Sequence, residues 1–185
     1  MGRTSQTKLA VLGALSVEPM TGYVVRRSIS ETLGHFWSES FGQIYPALSE
    51  LENEGAIRRA TPGLTSGSTF EITPIGSSML RRLLSEPFES APPRNALLLR
   101  IFFGRHLGPA ACRALLEEAL ADAERRKAEF GAIRAAADNE TVTDDSPYWA
   151  MALDNGERSA QTAVEWLRHS IAVLEDLADQ QDQRG

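Results

Sequence analysis

The reading of the fold turns on residues 36–55: Phe36-Trp37-Ser38-Glu39-Ser40-Phe41-Gly42-Gln43-Ile44-Tyr45-Pro46-Ala47-Leu48-Ser49-Glu50-Leu51-Glu52-Asn53-Glu54-Gly55. Ile44, Leu48 and Leu51 follow the 3.6-residue period of a helix with one buried face. Ser38 or Ser40 can cap its start, and Gly55 can close it. The opposite face then carries Gln43, Pro46 and Ser49, with Glu50 at the edge. Glutamine can pair bidentately with adenine N6 and N7, and serine can serve base edges or phosphate. Ser40 and the free amides of the helix start suit a phosphate oxygen. Pro46 removes an amide that would bond the Gly42 carbonyl, so a bent helix start is expected.

Upstream, a first helix runs from about Ser5 to Ser16 and stops before Pro19. Thr21 caps a second, which turns Val24, Val25, Ile29 and Leu33 inward and ends at Gly34. Downstream, Ala56 to Thr61 and Thr69 to Thr73 are short β-prone runs joined by turn chemistry over 62–68. Thr73-Pro74 then opens a helix to about Leu84. Three helices, a β-hairpin and a closing helix make a winged helix-turn-helix, whose third helix enters the DNA major groove while the hairpin flanks the backbone. Winged helices also serve as protein-binding modules, so fold alone does not settle the role.

Residues 1–86 hold eight basic side chains (Arg3, Lys8, Arg26, Arg27, Arg58, Arg59, Arg81, Arg82) and as many acidic ones. The chain's net charge of −6 therefore lies wholly beyond Glu86. Pro87, Pro92 and Pro93 punctuate the same place, giving a first domain over 1–86, a linker over 87–94 and a second domain over 95–185. The second domain reads as helix throughout: a short one over about Asn95–Phe103, a long one from Pro109 to about Ala137, and a last one from about Tyr148 to Asp179. Leu116, Ala119, Ala123, Arg126, Phe130, Ile133 and Ala137 alternate steps of three and four, as do Ala160, Val164, Leu167, Ile171, Leu174 and Ala178. Ala163, Trp166, Ser170, Val173 and Leu177 form a neighbouring stripe. Heptad stripes pack helices lengthwise, and a second copy related by twofold symmetry is the simplest cover, with Val164, Leu167, Ile171 and Leu174 at the dimer seam. An antiparallel pair within one chain is the alternative.

At 185 residues a core needs neither disulfide nor metal. The single cysteine, Cys112, reads as a packed thiol and fits a reducing cytoplasm. The run Leu9–Leu15 behind Arg3 and Lys8 mimics a short signal peptide but lacks a cleavage site, and no run is long enough for a membrane span. His35, His106 and His169 stand alone, without metal-site spacing. Ser5-Gln6-Thr7-Lys8 lacks the companion motifs of a Ser-x-x-Lys enzyme, and no nucleophile elbow, Walker loop or dinucleotide fingerprint occurs. No enzymatic activity, cofactor or metal is expected.

The run Leu9–Leu15, Met20-Thr21-Gly22-Tyr23 and above all Gly42-Gln43-Ile44-Tyr45-Pro46-Ala47-Leu48 resemble the PadR family of bacterial transcriptional regulators. Leu153-Asp154-Asn155-Gly156-Glu157 ahead of Val164-Glu165-Trp166-Leu167 is similar to the start of the dimerisation helix in the family's longer branch. The resemblance implies a mainly α fold, with an N-terminal winged helix and an all-helical dimerisation domain, acting on double-stranded DNA. It points to Tyr23, Ser40 and Tyr45 as backbone clamps. One departure stands out, because the family's wing carries arginine or lysine near its tip and residues 61–68 here contain none. Contacts from that region would fall to Ser66, Ser68 and Arg58 at the hairpin base, with Arg26 nearby on the second helix. The resemblance also implies a small aromatic or lipophilic effector, for which Phe102, Trp149 and Trp166 are candidate lining groups. The expected protein is a cytoplasmic homodimeric repressor on a pseudo-palindromic operator. An activator of similar build and an interaction module that never touches DNA are the alternatives.

Overall fold

The computed structural model describes residues 3–34, 37, 41–60, 67–87, 95–139 and 141–182, without the side chains of 3–4, 41 and 179–182. It divides into two compact units, residues 1–91 and 92–185. Among the described residues no helix is long and apolar enough to cross a membrane.

In the first unit α1 (Arg3–Val17) buries Ala10, Val11, Leu12 and Leu15. Strand β1 (Met20–Thr21) follows, and the Thr21 hydroxyl accepts the Val24 amide to cap α2 (Gly22–Ser28). The second helix was expected to run unbroken to Gly34, but its last turn, Ile29–Leu33, widens to a π-helix. A 3-10 turn at Phe41–Gln43 leads into α3 (Ile44–Asn53). Pro46 is the third residue of α3, where its missing amide leaves no intrahelical bond unmade. The expected bend is thus a change of helix type just ahead of α3. Ser38 and Ser40, the expected caps, lie outside the described residues, and the helical boundary is Gln43, whose side chain makes no capping bond.

Gly55 (φ +68°) ends α3 in the left-handed region, and the Ala56 amide bonds back to the Leu51 carbonyl at 2.9 Å. Strands β2 (Ile57–Arg59) and β3 (Thr69–Ile72) then pair antiparallel, with Ile57 opposite Ile72 and Arg59 opposite Phe70. β3 also pairs with β1, so the sheet order is β1-β3-β2. Sequence reading missed β1 because two residues are too few to show alternation. Helix α4 (Pro74–Leu84) is capped by Thr73, which accepts the Gly76 amide and donates to the Gly55 carbonyl.

The second unit holds α5 (Ala96–Phe102), α6 (Pro109–Ala137) and α7 (Ser146–Asp182). Arg113, Glu124 and Arg134 of α6 pair with Glu175, Arg168 and Glu157 of α7, rising numbers against falling ones, so the helices are antiparallel. Leu116 and Ala123 of α6 bury against Val164 and Leu167 of α7, with Ile171 and Leu174 half-buried beside them. This revises the expected dimer seam: Val164 and Leu167 are spent within the chain and offer a partner almost no surface. Of the α6 stripe, Leu116, Ala123 and Phe130 are buried, while Arg126, Ile133 and Ala137 have drifted into solvent.

A Cβ at Gly76 would lie 2.0 Å from the Ala56 carbonyl oxygen, whereas one at Gly131 on α6 would meet nothing within 4 Å. Gly76→Ala should therefore destabilise the first unit by about 1–3 kcal/mol. Gly131→Ala should stabilise the second by about 0.5–1 kcal/mol. Urea unfolding followed by circular dichroism measures both.

Candidate nucleic-acid interface

Helix α3 has two faces of opposite character. Ile44, Ala47, Leu48 and Leu51 are buried in the core that α1 and α3 share, while Gln43, Tyr45, Pro46, Ser49, Glu50 and Asn53 are exposed. Four of the predicted contact residues, Gln43, Tyr45, Pro46 and Ser49, thus reach solvent together. Tyr45 (49% exposed) lays its ring edge over Gly22, where a Cβ would sit 3.2 Å from its Cε1. That close approach seats the start of α2 against the start of α3 and places the exposed Tyr23 beside the same surface. Sequence reading took Gly22 only as part of a motif. The contact joins residues too far apart in sequence for periodicity to show it.

Charge is distributed unevenly along α3. Its first turn is neutral, whereas its second half carries Glu50 and Glu52 and its C-cap is Glu54. Lys8 of α1 reaches Glu50 at 3.1 Å and Glu54 at 2.8 Å, and its hydrogen bond to Glu54 is the main reason its pKa lies above the ordinary lysine value. Arg59 of β2 binds Glu52 with two nitrogens, at 2.8 and 3.1 Å, and holds that carboxyl below the ordinary glutamate pKa. Arg58 is exposed and paired with Glu71 of β3. Arg26 is half-buried on α2.

Ser68 departs from expectation. It is only 3% exposed, with its hydroxyl 3.5 Å from Arg59 Nη1. Two-residue alternation explains this: Ser68 and Phe70 both point inward, so Ser68 cannot meet a phosphate. Ser40 and Ser66 lie outside the described residues.

In the second unit the three effector candidates do not converge. Trp149 and Trp166 share α7 at positions 17 residues apart, about 25 Å along a helix. Phe102, 82% exposed, stacks edge-to-face on Phe103 at 5.1 Å at the end of α5. Trp166 borders an open recess of about 470 Å³ with Arg158, Ser159, Thr162 and Ala163. Among the described residues no group of His, Cys, Asp and Glu could hold a metal ion.

Three helices, the third with a core-bound and an exposed face, and a small β-sheet make the first unit a winged helix. Residues 11–82 match the transcriptional regulator PadR-like family, and residues 93–175 match the virulence activator alpha C-terminal family. The first unit thus carries a PadR-like transcriptional-regulator domain and the second a virulence-activator alpha C-terminal domain, the domains of regulators and not of enzymes. It is 25% identical over 182 residues to the probable transcriptional regulator Rv1176c of Mycobacterium tuberculosis, covering 90% of this chain and 96% of that one. A 50-residue stretch is 44% identical to the negative transcriptional regulator PadR of Bacillus subtilis, covering 27% of this chain and 28% of that one. Among solved structures, the PadR-like regulator BC1756 of Bacillus cereus superposes with a TM-score of 0.78 at 25% identity, over 92% of this chain and 98% of that one. Bacillus subtilis PadR, solved in complex with operator DNA, gives 0.77 at 23% identity, over 90% and 98%. The same protein with p-coumaric acid gives 0.76 at 22%, over 91% and 98%.

The Glu52–Arg59 pair carries a pH signature. Because the Glu52 pKa is lowered on folding, its stabilisation is complete above the ordinary value of 4.5 and is lost as pH falls through the lower folded value. Glu52→Gln should be less stable than wild type at pH 7, and the gap should close as pH falls below 4.5 and through the lowered folded value. Urea unfolding across a pH series checks this.

Proposed function

We propose that this regulator is a homodimeric repressor that lays α3 of each copy into successive major grooves of a pseudo-palindromic operator. The carrying observation is the exposed face of α3, on which Gln43, Tyr45, Pro46 and Ser49 stand together as uncharged side chains. Gln43 and Ser49 read base edges there, Tyr45 with Tyr23 and Ser40 grips phosphates, and Pro46 holds the neutral first turn in place. Arg58 flanks the backbone from the sheet, and Arg26 adds a cation from α2. The half-sites lie about 34–36 Å apart. Repression is favoured by the relative named as a negative regulator, and operator binding by the neighbour solved with operator DNA. The family name of the C-terminal match favours an activator of the same build as the second reading. Site of action is the cytoplasm, with the DNA.

The dimer rests on apolar surface left over in the second unit. Leu98, Leu99, Phe102 and Phe103 at α5, and Trp166, Val173 and Leu177 on α7, are all exposed. Burying such side chains stabilises by about 1.5–3 kcal/mol each. The seam therefore moves from Val164 and Leu167 to the neighbouring stripe, with Ile171 and Leu174 at its edge. A planar aromatic or lipophilic effector is proposed at Trp166 and its recess, with Phe102 and Trp149 joining only from other parts of the dimer. The neighbour solved with p-coumaric acid supports that chemistry.

Binding to the duplex upstream of the chain's own gene, followed by gel shift, tests the reading. Gln43→Ala should lose about 1–3 kcal/mol of discrimination at one base position. Tyr45→Phe should weaken binding at every sequence alike. Retention of wild-type binding by both variants would exclude α3 as the reader. Wild type should sediment at twice the monomer mass, whereas a Val173→Glu, Leu177→Glu double variant should sediment near 20.2 kDa and lose about 100-fold in operator affinity.

A further inference from the structure

Arg59 has the surroundings of a tie. Its Nε and Nη2 bind the two oxygens of Glu52 on α3, and its Nη1 faces the buried Ser68 hydroxyl at 3.5 Å. Its guanidinium also lies over the Phe70 ring of β3, 5.3 Å from the centroid. All three nitrogens and one face are therefore engaged inside the unit. A planar fork bound to a carboxylate and stacked on an aromatic ring is a fixed geometry that lysine does not reproduce. From α1, Lys8 takes the two other glutamates of the same half-helix.

We propose that Arg59 is a positioning residue that fixes the angle between the wing strands β2 and β3 and the reading helix α3, and makes no phosphate contact. This rests on the DNA reading above. The wing has no lysine or arginine over residues 60–70 to draw it onto the backbone. Its placement must then come from within the protein, and the Arg59–Glu52 fork supplies it. A wing held at one angle meets the duplex without first being ordered, which lowers the cost of binding.

The salt dependence of operator binding by the full chain separates a tie from a phosphate contact. Loss of one phosphate contact lowers the slope of log K against log salt by about 0.9. For a tie, Arg59→Gln and Glu52→Gln should each weaken binding about tenfold with the slope unchanged. The double variant should be no weaker than the worse single one, and Arg59→Lys should recover only part of the loss. For a phosphate contact, Arg59→Gln lowers the slope and Glu52→Gln tightens binding by releasing the cation and removing a negative charge. That result would overturn the proposal and leave the DNA reading standing. Hydrogen exchange without DNA gives the second measurement. The Ala60 amide, bonded to the Thr69 carbonyl at 2.8 Å, should exchange about tenfold faster in either single variant. Unchanged exchange overturns the tie. Faster exchange in a protein that binds no duplex shows that the DNA reading has failed, and the positioning role falls with it.

Discussion

Burial of one face of α3 is the constraint on which the rest of the first unit depends. Ile44, Ala47, Leu48 and Leu51 are all nearly inaccessible, and a helix of ten residues with four such side chains has no freedom to rotate about its axis. Turning it by one residue would expose a leucine and bury Glu50 or Ser49 without a partner, at a cost of several kcal/mol. The outward face is therefore decided by the inward one. Gln43, Tyr45, Pro46 and Ser49 are presented because Ile44, Leu48 and Leu51 are not.

Fixing rotation leaves tilt and the placement of neighbours. Tilt is limited at the N-terminal end by Tyr45 over Gly22 and at the C-terminal end by ion pairs on both flanks. The acidic half of α3 would repel a phosphate backbone if its carboxylates were bare. Lys8, shared by Glu50 and Glu54, and Arg59 on Glu52 offset two of those three charges, so the repulsion is reduced and one negative charge is left over. Such an interface draws little affinity from counterion release and more from shape and base contacts. In the dimer proposed above, it would depend more heavily on two half-sites being engaged together.

How far the residues announced all this depended on the range of the forces involved. Helix bounds and turns follow from local rules, so Gly55, Thr73-Pro74 and Pro109 each ended or opened an element where expected. The inward face of α3 was readable from its period alone. Strand β1 was not, because it exists only through pairing with β3, about fifty residues away. Ser68 read as a surface hydroxyl in a turn-rich segment, and only the strand register turns it inward. Arg59 read as one cation among several, since nothing in its neighbours marks Glu52 as its partner. The π-helical turn at Ile29–Leu33 has no marker in the sequence that we can identify.

The second unit shows the same limit in a different form. Two heptad stripes on α7 lie side by side, and sequence alone cannot say which one the chain keeps for itself. The structure assigns the Val164 and Leu167 stripe to α6, a choice stabilised by three ion pairs across the hairpin and by Gly156, which opens room for the Phe130 ring. Once that stripe is used, Trp166, Val173 and Leu177 are left facing solvent along a helix too long for α6 to wrap. Large apolar side chains in a row are costly to hydrate and prone to non-specific association unless a partner covers them. In the dimer proposed above, a second copy would present the same row across a twofold axis and bury both at once, leaving no unpaired edge for further growth. The internal pairing of α6 with α7 is thus what leaves the neighbouring stripe exposed.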